Sequence, residues 1–177
     1  MIPAIAQTLA NILVVGTSLT RLDQISLSVP DTVSELKTGL NLYFYDVRQS
    51  SIRRSSSYGR SPVSNSSATD AQTQSLVSTD RNPPDLCSGL LWFDVAFVVT
   101  AHNQTSLGMQ ELLSEALAAL MKHSPIPEEF LEPTLQGDES LSLSLQSPSD
   151  IAGFWSALRQ PLRPAIFVIV TAPFKPD

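Results

Sequence analysis

The chain has 177 residues, of which 42% are hydrophobic and only 16% charged, and its formal net charge is −6. This length fits one domain whose core removes about 70% of the unfolded chain's surface from water. The single Cys87 and the two histidines exclude a disulfide framework and a Cys/His zinc module, and the acidic balance argues against a general nucleic-acid binder.

A helix and two strands are predicted first along the chain. Apolar residues from Ile2 to Leu13 recur at helical spacing, and Gly16 ends this helix. Alternating apolar residues from Gln24 to Val29 predict a half-buried strand, which Pro30 closes. Residues 40–48 read LNLYFYDVR and carry bulky side chains on both faces, which predicts a central strand.

The hydrophobic pattern is lost over residues 49–84. Eleven of the chain's 25 serines lie between Ser50 and Ser78. Five of the eleven basic residues but only two of the seventeen acidic ones lie between positions 48 and 81, so this segment has a net charge of +3 and the rest of the chain −9. Such a composition does not offset the entropy of ordering. We therefore predict a flexible basic insertion over residues 49–84 within a single domain that covers residues 1–177.

Three further strands are predicted in the second half of the chain. Residues 90–101 form an aromatic and β-branched run that is typical of a central strand. Residues 140–146 read SLSLSLQ, alternate strictly between polar residues and leucine, and predict a strand with one solvent-exposed face. Residues 165–171 predict the last strand.

The longer of two further helices follows residues 90–101. Thr105 or Ser106 caps its N-terminus, Glu111 and Glu115 are predicted to face water, and His123 is predicted to act as a cation at its C-terminus. The apolar stripe of this helix consists of Met109, Leu112, Leu113, Ala116, Leu117, Leu120 and Met121.

A short helix capped by Ser149-Asp150 precedes the last strand. The predicted order is therefore helix, two strands, insertion, strand, helix, strand, helix and strand. This order predicts an α+β fold, with a mixed or antiparallel sheet of about five strands and helices that cover one face.

No motif in the sequence points to catalysis. It contains no nucleophile elbow, no phosphate-binding loop and no dinucleotide-binding glycine motif. His102 follows a strand end, but a surface-loop histidine is the simpler interpretation, and Asp46 and Asp94 fit polar positions on an exposed face better than a carboxylate pair. A small enzyme that uses His102 near a carboxylate is thus a weak hypothesis. We expect no catalytic residue, no cofactor and no metal.

The arginines around the start of the insertion form the candidate interface. Arg48, Arg53, Arg54 and Arg60 lie in or next to the serine-rich segment. Arginines in a flexible arm bind phosphates or dock on an acidic protein surface. A solvated linker that its charge keeps soluble is an equally good interpretation of the same residues.

Five different packing patterns follow one another along the chain, and their order is informative. The segments are MIPAIAQTLANIL (1–13), NLYFYDVR (41–48), FDVAFVVTA (93–101), ELLSEALAAL (111–120) and FWSALRQPLRPA (154–165). Taken together they resemble the tail-cap proteins of phage-tail-like contractile injection systems, of the Pvc and antifeeding-prophage types. The resemblance covers most of the chain outside residues 49–84, and the insertion itself is longer and richer in serine and arginine than the family leads us to expect.

The resemblance implies a structural role. Caps of this family look like phage tail terminators, which form a six-fold ring on the distal end of the inner tube, stop its polymerisation and anchor the last sheath ring. The implied partners are further copies of the chain in a homohexamer, the inner tube protein and the sheath protein, without nucleic acid or membrane insertion. Docking on the sheath by strand addition needs an exposed sheet edge, which residues 140–146 or the C-terminal strand are expected to supply.

The alternative hypothesis is a non-catalytic adaptor or effector-loading module that recruits an acidic partner through its basic arm. The basic arm consists of Arg48 and the predicted insertion over residues 49–84. The two hypotheses differ in oligomeric state, because a protein that forms a ring is not a monomer.

The sequence also bears on location. The N-terminal apolar stretch lacks the positive residues of a signal peptide, and the longest apolar run is too short to span a bilayer. We therefore expect assembly in the cytoplasm, into a particle that is either released or attached to a membrane.

Overall fold

A five-stranded mixed sheet forms the centre of the computed structural model, which describes residues 1–30, 38–50, 91–135 and 140–174. The strands are β1 (Ile25–Ser26), β2 (Gly39–Gln49), β3 (Leu91–His102), β4 (Ser142–Leu145) and β5 (Ile166–Phe174). The helices are α1 (Ile2–Gly16), α2 (Ser106–Lys122) and α3 (Ile151–Ala157). The spatial order is β1-β2-β3-β5-β4, in which the β1–β2 pair is parallel and the other pairs are antiparallel. The α+β prediction and its element order are confirmed.

α1 and α2 pack on one face of the sheet, which we call the first face. Side chains alternate between the two faces of a strand, and β3 and β5 direct Val95, Phe97 and Val168 to the first face, where each is at most 1% exposed. Ile5 and Leu9 of α1 are completely buried against them. Each such buried aliphatic side chain contributes about 1.5–3 kcal/mol of transfer free energy.

α3 packs on the opposite, second face of the sheet. Its Trp155 is 1% exposed and forms a small cluster with Val98 of β3 and Phe167 of β5. Tyr45 and Phe154 surround this cluster and form edge-to-face ring contacts with each other and with Phe167. The prediction that all helices cover one face is therefore wrong for α3, because the apolar residues on the second face of β3 and β5 also need cover.

The predicted helix caps are confirmed at the N-termini of α2 and α3. The Thr105 hydroxyl accepts a hydrogen bond from the Gly108 N–H at 3.0 Å, and the Asp150 carboxylate accepts one from the Gly153 N–H at 2.7 Å. Each bond satisfies a backbone donor that the first helical turn leaves unpaired.

Two polar residues in or next to the C-terminal half of α2 have hydrogen-bond partners in the structure. His123 occupies the C-terminal cap position, and its Nδ1 bonds to the carbonyl oxygen of Ala119 at 2.7 Å. Glu115, however, does not simply face water. Its carboxylate accepts a hydrogen bond from the Ser18 N–H at 2.7 Å and so ties α2 to the segment that follows α1.

β1 is much shorter than the strand predicted over residues 24–29. Ile25 is buried, but Leu27 is 56% exposed and Val29 42% exposed. The Asn41 side-chain amide donates to the carbonyl of Ser28 at 2.7 Å, so a side chain rather than a strand ladder holds this backbone. The half-buried strand predicted there is therefore wrong beyond Ser26.

The start of the predicted insertion belongs to the sheet. Gln49 is the last residue of β2 and pairs with Phe93, and the Ser50 N–H donates to the carbonyl of Trp92 at 2.8 Å. The remainder of the predicted insertion, from residue 51 to residue 84, lies outside the described residues. Within the described ranges, no helix combines the length and the apolar character that a membrane span requires.

Candidate docking surfaces

Arg48 is the candidate interface residue whose position the structure describes. It is exposed near the end of β2, on the second face and directly opposite Asp94 of β3. The two do not form an ion pair within the described part of the chain, and the Asp94 carboxylate instead accepts a hydrogen bond from the Thr171 hydroxyl at 2.7 Å. The guanidinium of Arg48 is thus exposed to solvent. Three further candidates lie outside the described residues, namely Arg53, Arg54 and Arg60.

Opposite charges lie two residues apart on the exposed end of β2. Asp46 and Arg48 flank Val47, and both lie on the second face because side chains alternate along a strand. A β-bulge between Phe44 and Asp46 marks the start of this charged stretch. Partial burial raises the pKa of the Tyr45 hydroxyl above its ordinary value, the charge of Asp46 raises it further, and Arg48 lowers it.

The last strand of the chain is not an exposed edge. Val170 of β5 pairs with Val95 of β3 on one side and with Leu143 of β4 on the other. The same holds for the whole of residues 168–171. The prediction that the C-terminal strand supplies a docking edge is therefore wrong for these residues, because both of their ladders are already used.

β4 is an edge strand, but its outer side is partly covered. The carbonyl of Leu141 accepts a hydrogen bond from the Ile126 N–H at 3.0 Å, and the carbonyl of Leu143 accepts one from the Ser124 hydroxyl at 2.6 Å. These bonds attach the segment after α2 to the outer side of the strand. The edge predicted over residues 140–146 is thus unavailable to a partner strand at two of its carbonyls.

The outer edge of β2 is open over most of its length. β1 pairs only with residues 40–41, and no other strand in the described ranges lies on that side. The hydrogen bond from Ser50 to Trp92 fixes which backbone groups face β3, because inward and outward groups alternate along an antiparallel strand. The N–H and C=O groups of Val47 and Gln49 therefore point outward, away from β3.

Large apolar side chains on α2 face solvent. Leu107 is 65% exposed, Leu117 37% and Met121 64%. At 100° per residue these three lie within about 80° of one another, and we call them the α2 stripe. The prediction that Leu117 and Met121 are buried is wrong, because the predicted stripe spans about half of the helix circumference. The buried side of α2 is centred instead on Ala116 and Leu120, which are completely buried.

The prediction that His102 lies in a surface loop is wrong. His102 is the half-buried last residue of β3, opposite Gly39. Asp94 lies eight residues away on the same strand, a distance of about 27 Å at the strand rise. Asp46 pairs with Ala96 and is about 20 Å from His102. Among the described residues, no group of His, Cys, Asp and Glu side chains is placed to hold a metal ion. The described geometry therefore does not bring His102 next to either of these carboxylates.

The sequence matches the family model of the Pvc16 N-terminal domain over residues 4–177. The chain belongs to the Pvc16 N-terminal domain family. This match includes all five described strands and agrees with the resemblance seen in the sequence. No curated protein matches the chain at a significant level.

Two solved structures share the fold of this Pvc16 N-terminal domain. The PVC sheath/tube terminator of an extracellular contractile injection system, in its extended state, superposes with a TM-score of 0.61 at 13% identity, over 100% of this chain and 57% of that one. The anti-feeding prophage cap, a tube-terminating cap, superposes with a TM-score of 0.52 at 15% identity, over 99% of this chain and 54% of that one. This chain thus spans little more than half the length of either relative, and the likeness establishes a common fold.

Two surface features of this Pvc16 N-terminal domain were not predicted. The open edge at Val47 and Gln49 had a signal in the sequence, because Asp46 and Arg48 place opposite charges two residues apart in a predicted strand. The exposure of Leu107 had no comparable signal, since a leucine in the first turn of an amphipathic helix is equally compatible with burial.

Proposed function

We propose that this Pvc16 N-terminal domain is a structural cap, which terminates the inner tube and anchors the last sheath ring of a contractile injection particle. The family match over residues 4–177 is the observation that carries the proposal. The shared fold supports it, because the two similar proteins are a sheath/tube terminator and a tube-terminating cap.

In this proposal the cap is a homohexameric ring. A closed ring of identical subunits needs two complementary patches on each copy. The α2 stripe is suited to one of these patches, because exposed apolar side chains along one side of a helix are typical of protein interfaces. The complementary patch lies on the next copy in the ring and is a second apolar surface, which every copy carries.

The basic arm supplies electrostatic attraction between subunits. We place Arg48, Arg53, Arg54 and Arg60 in the insertion over residues 49–84 or next to it, and the rest of the chain carries a net charge of −9. One exposed ion pair contributes only about 0–1 kcal/mol. Repeated around a ring, several such pairs add to the stability that apolar packing provides.

The proposed partners are further copies of the chain, the inner tube protein and the sheath protein. The proposal includes neither nucleic acid nor membrane insertion, and it needs no cofactor. Assembly takes place in the cytoplasm, and the chain becomes part of a particle that is released or attached to a membrane.

The experiment that tests this proposal compares particles made with and without the chain. Without a terminator, tube growth does not stop at a fixed length, so electron microscopy is expected to show tubes of broad length distribution without an end ring. Reintroduction of the parent chain restores uniform tubes with density for this chain at the terminus. Uniform tubes in its absence, or a reconstruction that lacks it at the terminus, contradict the proposal.

A pair of variants connects the α2 stripe to this role. Leu117→Glu combined with Met121→Glu places charge on the stripe and is expected to abolish the restoration of uniform tubes. Lys122→Glu is the control, because it changes the charge of the same helix by the same amount at an exposed position about 140° from Leu117 and 100° from Met121. Equal loss of capping in both variants contradicts the assignment of the stripe to a subunit interface.

Catalysis has no part in the proposal. His102→Ala is expected to leave particle assembly and firing unchanged, provided that circular dichroism shows a folded chain. Loss of firing in correctly assembled particles that carry His102→Ala would support the enzyme hypothesis. The adaptor hypothesis predicts instead a monomeric chain that binds an acidic partner and whose removal leaves tube length unchanged.

A further inference from the structure

We propose that free copies of this chain pair with each other through the outer edge of β2, as an antiparallel two-fold dimer centred on Val47. The occupant of the open edge is thus the same edge of a second copy. This contact differs from those of the proposed ring and is a property of the chain before its assembly.

The backbone geometry allows this pairing. Val47 directs both its N–H and its C=O to the outer edge of β2, away from β3. When two such edges meet in antiparallel orientation, the Val47 residues of the two copies exchange two hydrogen bonds. The Val47 side chain is 42% exposed and lies next to its counterpart in the partner copy.

The charges on the edge select this register. In an antiparallel pair centred on Val47, Asp46 of each copy lies directly opposite Arg48 of the other. Cross-strand neighbours have Cβ atoms about 4.5–5.5 Å apart, which is close enough for both ion pairs to form. A shift by two residues separates the opposite charges, so the pattern Asp-Val-Arg is complementary to itself in one register. Asp46 and Arg48 form no ion pair with each other or with other residues within the described part of the chain, and both are exposed.

Two features confine the contact to the end of β2. β1 occupies the outer edge at residues 40–41, and the bulge between Phe44 and Asp46 interrupts the regular strand. The stretch that begins at Asp46 lies beyond both features and is regular and open on its outer side in the described part of the chain. A short edge that carries charges also resists unlimited strand addition, and this favours a closed pair over an open aggregate.

The symmetry separates this contact from the proposed cap ring. A pair centred on Val47 contains a two-fold axis, which makes it isologous, whereas a six-fold ring uses heterologous contacts between different patches. The dimer would therefore cover an exposed strand edge in the unassembled chain. Neither contact requires the other.

The test measures sedimentation velocity of the full chain over a series of concentrations. It compares the parent chain with variants in which the charges of Asp46 and Arg48 are reversed singly or exchanged. The parent chain is expected to show a monomer–dimer equilibrium. Asp46→Arg places arginine opposite Arg48, and Arg48→Asp places aspartate opposite Asp46, so each single variant is expected to raise the dissociation constant about tenfold or more. The exchange of both residues, Asp46→Arg with Arg48→Asp, restores opposite charges and is expected to restore the dimer.

A matched control reverses a charge elsewhere. Glu111→Arg alters an exposed residue of α2 by the same charge as Asp46→Arg and is expected to leave the dissociation constant unchanged. All three substituted sites, Asp46, Arg48 and Glu111, are solvent-exposed. Thermal unfolding checks that each of the four variants is folded.

Each other outcome overturns the pairing. A parent chain that sediments without a dimer at every concentration excludes it. A dimer that neither single variant weakens uses another surface, and a dimer that the exchanged variant does not restore has another register. Because uniform tubes and a terminal ring are read out by electron microscopy of particles, loss of this dimer leaves the test of the cap proposal unaffected.

Discussion

Gly16, the last residue of α1, lies so close to Ala119 of α2 that a methyl group added to Gly16 would overlap the Ala119 methyl. In most helices Gly→Ala stabilises the fold by about 0.5–1 kcal/mol. Here we expect Gly16→Ala to lower the free energy of unfolding by about 1–3 kcal/mol, because overpacking moves the two helices apart. Urea denaturation measures this change.

A second substitution identifies the cause. Ala119→Gly removes the opposing methyl, so the double variant Gly16→Ala with Ala119→Gly is expected to be more stable than the sum of the two single effects predicts. Strict additivity would show that the Gly16 variant loses stability for a reason other than contact with Ala119.

Arg159 has a φ of 55°, which is left-handed backbone that favours glycine. It follows α3, where the Arg159 N–H donates to the carbonyl of Ser156 and the Gln160 N–H donates to that of Trp155, both at 3.0 Å. These bonds form the usual glycine-terminated helix end with arginine in the glycine position. We expect Arg159→Gly to raise the free energy of unfolding by about 0.5–1 kcal/mol.

Arg159→Ala is the matched control for this substitution. It removes the same charge but keeps the Cβ atom that makes left-handed backbone unfavourable. Equal gains from alanine and glycine in thermal unfolding would assign the effect to the charge and would exclude backbone strain.

Tyr45 makes stability depend on pH in the alkaline range. Burial is the main cause that raises the pKa of Tyr45 in the folded chain. As the pH rises, the Tyr45 hydroxyl therefore loses its proton in the unfolded chain before it does so in the folded chain. The contribution of Tyr45 is then complete below a pH of about 10 and is lost as the pH rises through the folded-state pKa. Tyr45→Phe is expected to flatten the decline of unfolding free energy above that pH. An unchanged decline would assign the effect to another group.

The arm arginines are expected to act through charge. Reversal of Arg48, Arg53 and Arg54 to Glu should weaken assembly of the ring or particle, most strongly at low salt, where charges are least screened. A second variant that reverses only Arg53 and Arg54 separates the arm from the β2 edge, since it leaves Arg48 in place. Normal assembly of the triple variant at every salt concentration would show that apolar packing alone holds the subunits together.

Local pattern was sufficient to predict the long elements. Helical spacing located α1 and α2, β-branched and aromatic runs located β3 and β5, and Thr105 and Asp150 cap their helices as expected. The family was also predicted correctly, because the order of these patterns is more specific than any one of them.

The neighbours that each element contacts were harder to predict. Leu27 and Leu117 fit the periodicity of a buried face, yet both are exposed because no described element covers them. The placement of α3 on the second face, and the bonds from Ser124 and Ile126 to the outer side of β4, depend on the path of the chain between elements. Periodicity specifies which side chains share a face, but it does not specify what packs there.

Ser50, which follows β2, and Trp92, near the start of β3, form a junction in which the Ser50 N–H donates to the carbonyl of Trp92 at 2.8 Å. The entropy of closing a flexible loop grows only with the logarithm of its length, by about 0.6 kcal/mol for each doubling. Because residues 49–84 are predicted to be flexible, we expect changes in their number to have little effect on the pairing of β2 with β3. For engineering, the same junction is a place to graft an epitope or a fluorescent reporter, with both ends anchored in adjacent strands.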